Sequence, residues 1–188
     1  MRSVPAARPA EPGHGNYLQH QAMRRDKIYL VGFVASGKST VARKLASRLG
    51  WRWFDVDDLI EQRERRSIGE IFSAHGEPRF RAAEREVVRG LLAIRHAVVA
   101  TGSGTFADPV SRALIADDGL SAWLDAPLDL LLGRLPPGRS RPLGDDRNEL
   151  MRAFEIRREA YRLADLRLDV GSASIDEVVE RLLDWLGY

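Results

Sequence analysis

The chain has 188 residues, 44% hydrophobic and 30% charged, the make-up of one ordinary domain that can bury a core without disulfides or metal clips. It has no cysteine, which excludes a disulfide framework or a thiolate metal site, and no apolar run approaches the roughly 20 residues that span a bilayer. A pI near 9.2 invites a nucleic-acid partner, but 27 acids against 29 bases leave a net charge of only +2, and no DNA-reading module is visible. Neither nucleic acid nor membrane is therefore expected as a partner.

Residues 1–22, with Pro5, Pro9, Pro12, Gly13 and Gly15, show no apolar periodicity and no secretory core. They are expected to form a disordered extension ahead of a domain of residues 23–188, and the expected location is the cytoplasm. From residue 27 onward, short apolar runs alternate with amphipathic stretches, the pattern of βαβ units on a parallel sheet.

The first predicted strand, 28–31, runs into Gly32-Phe33-Val34-Ala35-Ser36-Gly37-Lys38-Ser39, followed by an amphipathic helix over 38–49. This is the G-x-x-x-x-G-K-[ST] phosphate loop in its required setting between strand and helix. The four fixed positions would arise by chance in a chain of this length about once in a hundred. The glycines let backbone N–H groups turn inward around a phosphate at the positive end of a helix dipole. Lys38 would reach the terminal phosphates of ATP, and the Ser39 hydroxyl would serve Mg²⁺.

The second strand, 53–54, ends at Asp55-Val56-Asp57-Asp58, before helices over 57–65 and 68–75. Three carboxylates thus stand at the carboxyl end of a parallel strand, where open α/β sheets bind ligands. Residues two apart on an extended strand share a side, so Asp55 and Asp57 are expected to face one site, one near Mg²⁺ and the other taking a proton from an attacking hydroxyl. The competing reading makes Asp57 or Asp58 a simple helix cap. In the next helix, 78–92, Arg81 and Glu84 lie three apart on one face, placed to pair with each other or to bind a carboxylated ligand.

After the third strand, 97–100, Gly102-Ser103-Gly104 allows close backbone approach to a ligand. Asp108 and Pro109 open a helix over 109–116, a fourth strand follows at 122–124, and a helix is predicted over 128–134. Residues 135–146 (LPPGRSRPLGDD) fit neither period and are expected to be a mobile loop, a lid. A helix over 149–161, a fifth strand at 166–170 and a helix over 175–186, opened by a Ser174/Glu177 capping box, complete the chain.

In this order the motifs resemble one family, the shikimate kinases, over essentially residues 27–186. That family shows G-x-x-G-x-G-K-S-T, D-x-D, F-R-x-x-E, G-G-G, an R-P-L lid and R-x-x-x-Y. The chain carries Lys38 to Thr40, Asp55 with Asp57, Phe80-Arg81 with Glu84, Gly102-Ser103-Gly104, Arg141-Pro142-Leu143, and Arg157 with Tyr161. The resemblance implies a three-layer α/β/α P-loop kinase fold, with a five-stranded parallel sheet in order 2-3-1-4-5 and a mobile lid. It implies a monomeric, ATP- and Mg²⁺-dependent enzyme that phosphorylates the 3-hydroxyl of shikimate, in the pathway to chorismate and the aromatic amino acids.

By resemblance, Asp57, Arg81, Gly102, Ser103, Gly104 and Arg157 would hold shikimate, the two arginines gripping its carboxylate. Ala35, Ser36, Gly37, Lys38, Ser39, Thr40, Arg134 and Arg141 would hold ATP, with Arg134 on adenine and Arg141 folding over the phosphates. Ser39 and Asp55 would serve the metal, and Lys38, Asp57 and Arg141 the chemistry. The alternatives are a related small-molecule kinase, such as one for gluconate, and a catalytically idle ligand sensor. Two departures stand out: Ala35 replaces a family glycine, with a small effect expected, and Ser103 replaces the middle glycine of the triplet, where its Cβ would intrude if that residue needs positive φ.

Overall fold

A computed structural model describes residues 26–135 and 146–188. The expected extension, and all of the expected lid except its two end residues, including Arg141, lie outside the described residues. Five strands run in chain order: β1 (Lys27–Val31), β2 (Arg52–Asp55), β3 (Ala97–Ala100), β4 (Leu120–Asp125) and β5 (Leu166–Asp169). All pairings are parallel, in the order β2-β3-β1-β4-β5 that the resemblance implied. β1, with register Ile28 to Val98 on one side and Ile28 to Leu120 on the other, is buried along its whole length. Central parallel strands are covered on both faces, and for that reason β1, β3 and β4 are buried and mostly apolar in sequence.

Seven helices lie among the described residues: α1 (Lys38–Leu49), α2 (Val56–Glu64), α3 (Ile68–Leu91), α4 (Pro109–Asp118), α5 (Leu128–Gly133), α6 (Arg147–Tyr161) and α7 (Ile175–Leu186). None is long and apolar enough to cross a membrane. The sequence suggested two helices where α3 stands, and α3 is two segments in geometry. They meet at Gly76, whose φ of 73° and ψ of 177° are not helical, two residues before Pro78. The Ser174/Glu177 capping box is present at the start of α7. Asp108 caps α4 by accepting from Ser111 N at 2.9 Å, while Arg85 of α3 grips the same carboxylate at 3.0 and 2.6 Å. That grip first, with the cap bonds, holds the Asp108 carboxyl down to about 2 and fixes the end of the β3–α4 loop.

The strand order reverses at β1, so the crevice at its carboxyl end is the switch point where this architecture receives ligands. The amino end of the same strand is closed by a polar knot. Lys27, fully buried, donates to Asp118 Oδ2 at 2.6 Å and to the Leu91 carbonyl at 2.7 Å. The Tyr29 hydroxyl reaches the same carboxylate at 2.5 Å, and Arg95 bonds its other oxygen at 3.1 Å. Burial lowers the Lys27 pKa and raises that of Tyr29, and the shared carboxylate compensates the lysine. The knot ties the end of α3 and the end of α4 to β1.

Candidate active site

The phosphate loop spans the turn from β1 to α1. A β-carbon on Gly32 would lie 2.7 Å from the Leu124 carbonyl oxygen, so the loop can pass only as glycine there. Gly37 enters α1 at φ 91°, and Ala35 sits at φ 59°, in the left-handed region that disfavours a side chain. Lys38 folds its ammonium back on the loop, donating to the Phe33 carbonyl at 2.8 Å. Ser36 is buried, and Ser39 and Thr40, at the start of α1, are exposed at the mouth.

β2 ends at Asp55, two residues short of Asp57, so the extended stretch that the alternation argument needs is not there. Asp55 is the cap of α2, accepting from Asp57 N at 3.0 Å, and Asp57 already belongs to that helix. The alternation of an extended strand is therefore not what brings these carboxylates together, and the capping role falls to Asp55 rather than to Asp57 or Asp58. Asp55 also accepts from the Ser39 hydroxyl at 2.5 Å, placing the two predicted metal residues side by side.

A hydroxyl and a carboxylate oxygen are hard donors suited to Mg²⁺, and two are enough for an ion that takes its other ligands from phosphate and water. Among the described residues no group of three or more His, Cys, Asp or Glu forms a cage of its own.

Asp57 is half-buried and has no ion pair within 4 Å among the described residues. Burial first, then the charges of Asp55 and Glu84, raise its carboxyl to about 7, against the pull of Lys38. Burial likewise pushes the Lys38 ammonium down to about 8, against the attraction of Asp57 and Asp55. The lysine of the phosphate loop and the aspartate of the second helix thus act on one another across the crevice.

The β3–α4 loop collects the residues predicted for the acceptor side. A β-carbon on Gly102 would lie 2.7 Å from Asp57 Oδ1 and 2.8 Å from Glu84 Oε1, and one on Gly104 would collide with the Arg81 guanidinium. Between them, the Ser103 hydroxyl accepts from Arg157 Nη1 at 2.9 Å, and its carbonyl accepts from the Tyr161 hydroxyl. Asp57, Arg81 and Arg157, from α2, α3 and α6, therefore converge on three successive loop residues.

Arg81 pairs with Glu84 and, at 3.0 Å, with Glu77; Glu84 is 1% exposed and also accepts from Thr105 Oγ1 at 2.7 Å. Arg157 is also buried, yet no carboxylate lies within ion-pair distance of it among the described residues. It lies 5.7 Å over the Phe33 ring, and burial lowers its pKa. Arg134 stands apart at the end of α5, where it bonds the Gly171 carbonyl at 3.3 Å.

Sequence reasoning missed Phe33, the ring beneath Arg157, and Thr105, the buried hydroxyl that orients Glu84. Phe33 occupied a free position of its motif, and Thr105 had only its place after the glycines to mark it.

A family model described as shikimate kinase matches residues 34–187. The chain belongs to the shikimate kinase family. A shikimate kinase of Geobacter sulfurreducens is 44% identical over 158 residues, covering 82% of this chain and 87% of that relative. The solved shikimate kinase of Acinetobacter baumannii, a complex with shikimate, superposes with a TM-score of 0.82 at 30% identity, covering 89% of this chain and 96% of that one. The shikimate kinase of Aquifex aeolicus superposes at 0.76 with 35% identity over 85% and 95% of the two chains.

Against the shikimate kinase pattern, the two departures resolve differently. Ser103 is not among the residues with positive φ, so its Cβ is held without backbone strain. Ala35 is among them, and it carries the conformation that the family glycine adopts more cheaply.

Proposed function

We propose that this chain transfers the γ-phosphoryl group of ATP to the 3-hydroxyl of shikimate, giving shikimate 3-phosphate and ADP on the route to chorismate and the aromatic amino acids. The observation that carries this reading is the convergence of Asp57, Arg81 and Arg157 on residues 102–104, beside a phosphate loop whose lysine is electrostatically linked to Asp57. Arg157, a buried cation with no carboxylate partner among the described residues, asks for an acidic ligand, and a carboxylate with a pKa of about 7 suits a group that accepts a proton near neutrality.

In this reading the Arg157 and Arg81 guanidiniums grip the acid of shikimate, and Asp57 orients the attacking hydroxyl and takes its proton. The backbone N–H groups of residues 35–40 receive the phosphates, drawing Lys38 off the Phe33 carbonyl and onto the moving phosphoryl group. Ser39 and Asp55 would hold Mg²⁺, which when bound neutralises phosphate charge. Arg134 would lie against adenine and Arg141 over the phosphates. The enzyme is read as a cytoplasmic monomer.

The test is a panel of acceptors, including shikimate and gluconate, with ATP and Mg²⁺ in a coupled ADP-release assay. Shikimate is expected to be phosphorylated and gluconate not. The reverse result would replace the acceptor, and binding of shikimate without turnover would make the chain a sensor.

A further inference from the structure

The two arginines of the acceptor site are held in different ways. Arg81 comes with its own carboxylates, Glu77 and the buried Glu84. Arg157 has none among the described residues, and its one hydrogen bond there is to the Ser103 hydroxyl at 2.9 Å.

A guanidinium has only donors, so in that bond Ser103 Oγ must accept. A serine hydroxyl keeps one hydrogen to give, and no acceptor for it is found among the described residues. The serine is also locked in place. The Tyr161 hydroxyl, one helical turn beyond Arg157 on α6, bonds its carbonyl, and the glycines on either side are packed against Asp57, Glu84 and Arg81. The result is one buried positive group and one unused hydroxyl hydrogen, fixed side by side, facing the need for the same kind of ligand atom.

We propose that Ser103 is a positioning and specificity residue: its hydroxyl holds the Arg157 guanidinium ready before ligand arrives, then donates its hydrogen to the carboxylate that Arg157 binds. The inference rests on the reading of a carboxylated acceptor between Arg81 and Arg157, and it gives the side chain, not only the backbone, of the loop a part in choosing an acid over a neutral polyol. A glycine at position 103 would supply neither the restraint nor the donor. No covalent step is involved, and Ser103 takes no part in moving the phosphoryl group.

The experiment uses the full chain and the variants Ser103→Ala and Ser103→Gly. Shikimate binding is measured by calorimetry without ATP, and steady-state kinetics are measured with both substrates. A hydrogen bond to a charged group sets the expected size. Each variant should raise the Kd and KM for shikimate about ten- to hundredfold, with kcat within about threefold, and with the KM for ATP and the melting temperature essentially unchanged. In an Arg157→Ala background, adding Ser103→Ala should weaken shikimate binding by a smaller factor than it does in the wild-type background, since the part that acts through Arg157 is already lost.

A shikimate Kd within twofold of wild type in both Ser103 variants would overturn the proposal, as would an equal weakening of ATP. Wild type that neither binds nor phosphorylates shikimate would overturn the acceptor reading itself. Because that failure is read on the unmodified chain, it is distinct from a failure of Ser103 alone.

Discussion

The two ends of β1 carry the same kinds of charge and treat them in opposite ways. At the amino end, Lys27 meets Asp118 at 2.6 Å, and Tyr29 and Arg95 share that carboxylate, so each buried group has its partner within the protein. At the carboxyl end, Lys38 bonds a carbonyl instead of a carboxylate, Asp57 is kept near 7, and Arg157 leans on a serine and a ring. A closed network of this sort holds a fold together. An open one is stable only because the rest of the domain supports it, and in the proposed function phosphates and an acid would satisfy it. Among the described residues, the buried charges at the amino end of β1 are paired within the protein, whereas Asp57 and Arg157 near its carboxyl end have no ion pair.

The comparison breaks most sharply at Asp57. Asp57→Asn should lower kcat with shikimate by about 10²–10⁴-fold in the ADP-release assay, the range for loss of a positioned proton acceptor. Ligand-free protein at pH 8 should melt no lower than wild type, because the substitution removes a carboxylate that folding holds in an unfavourable setting. A clear fall in melting temperature would mean that this charge serves the fold after all.

Asp118→Ala should do the opposite. It removes the carboxylate that Lys27, Tyr29 and Arg95 share, leaving the buried Lys27 ammonium only main-chain carbonyls, and should cost about 3–5 kcal/mol in urea unfolding, the range for breaking a buried ion pair. Turnover of the folded fraction at 25 °C should stay within about twofold of wild type.

The pH profile sharpens the contrast further. A folded-state pKa raised to about 7 means that Asp57 is protonated below that value, so kcat/KM for shikimate should fall about tenfold per unit as pH drops beneath 7. The same shift makes its contribution to stability complete below the unfolded carboxyl value near 4, and that contribution is lost as pH rises through about 7. Asp57→Asn should flatten both trends.

The smallest effect is expected at Ala35. Relief of a left-handed residue is worth about 1–2 kcal/mol and the added glycine entropy removes about 0.5–1, so Ala35→Gly should stabilise by up to about 1.5 kcal/mol in urea unfolding.

Much of this arrangement was legible in the residues. The phosphate loop, the helix starts at Asp108 and Ser174, and the break before Pro78 follow from local chemistry that few other structures satisfy, and they stand where expected. The grouping of Asp57, Arg81 and Arg157 needed the family pattern, since no local rule relates positions 57, 81 and 157.

What stayed hidden was set by tertiary contact. β2 ends at Asp55, whose own side chain caps α2, and the helix expected from residue 57 begins at Val56, so strand alternation does not relate the two aspartates. The knot at Lys27 depends on Asp118, 91 positions away, and the support of Arg157 depends on Phe33 and Ser103, each unremarkable in sequence.

An engineer wishing to redirect the chain toward another acid has one dial in the β3–α4 loop. Positions 102 and 104 are shut, because any side chain there would displace Asp57 and Glu84 or the Arg81 guanidinium. Position 103 already carries a side chain at ordinary backbone angles, so a library confined to small and polar residues at that single codon would vary the contact to Arg157 while leaving the loop's frame intact.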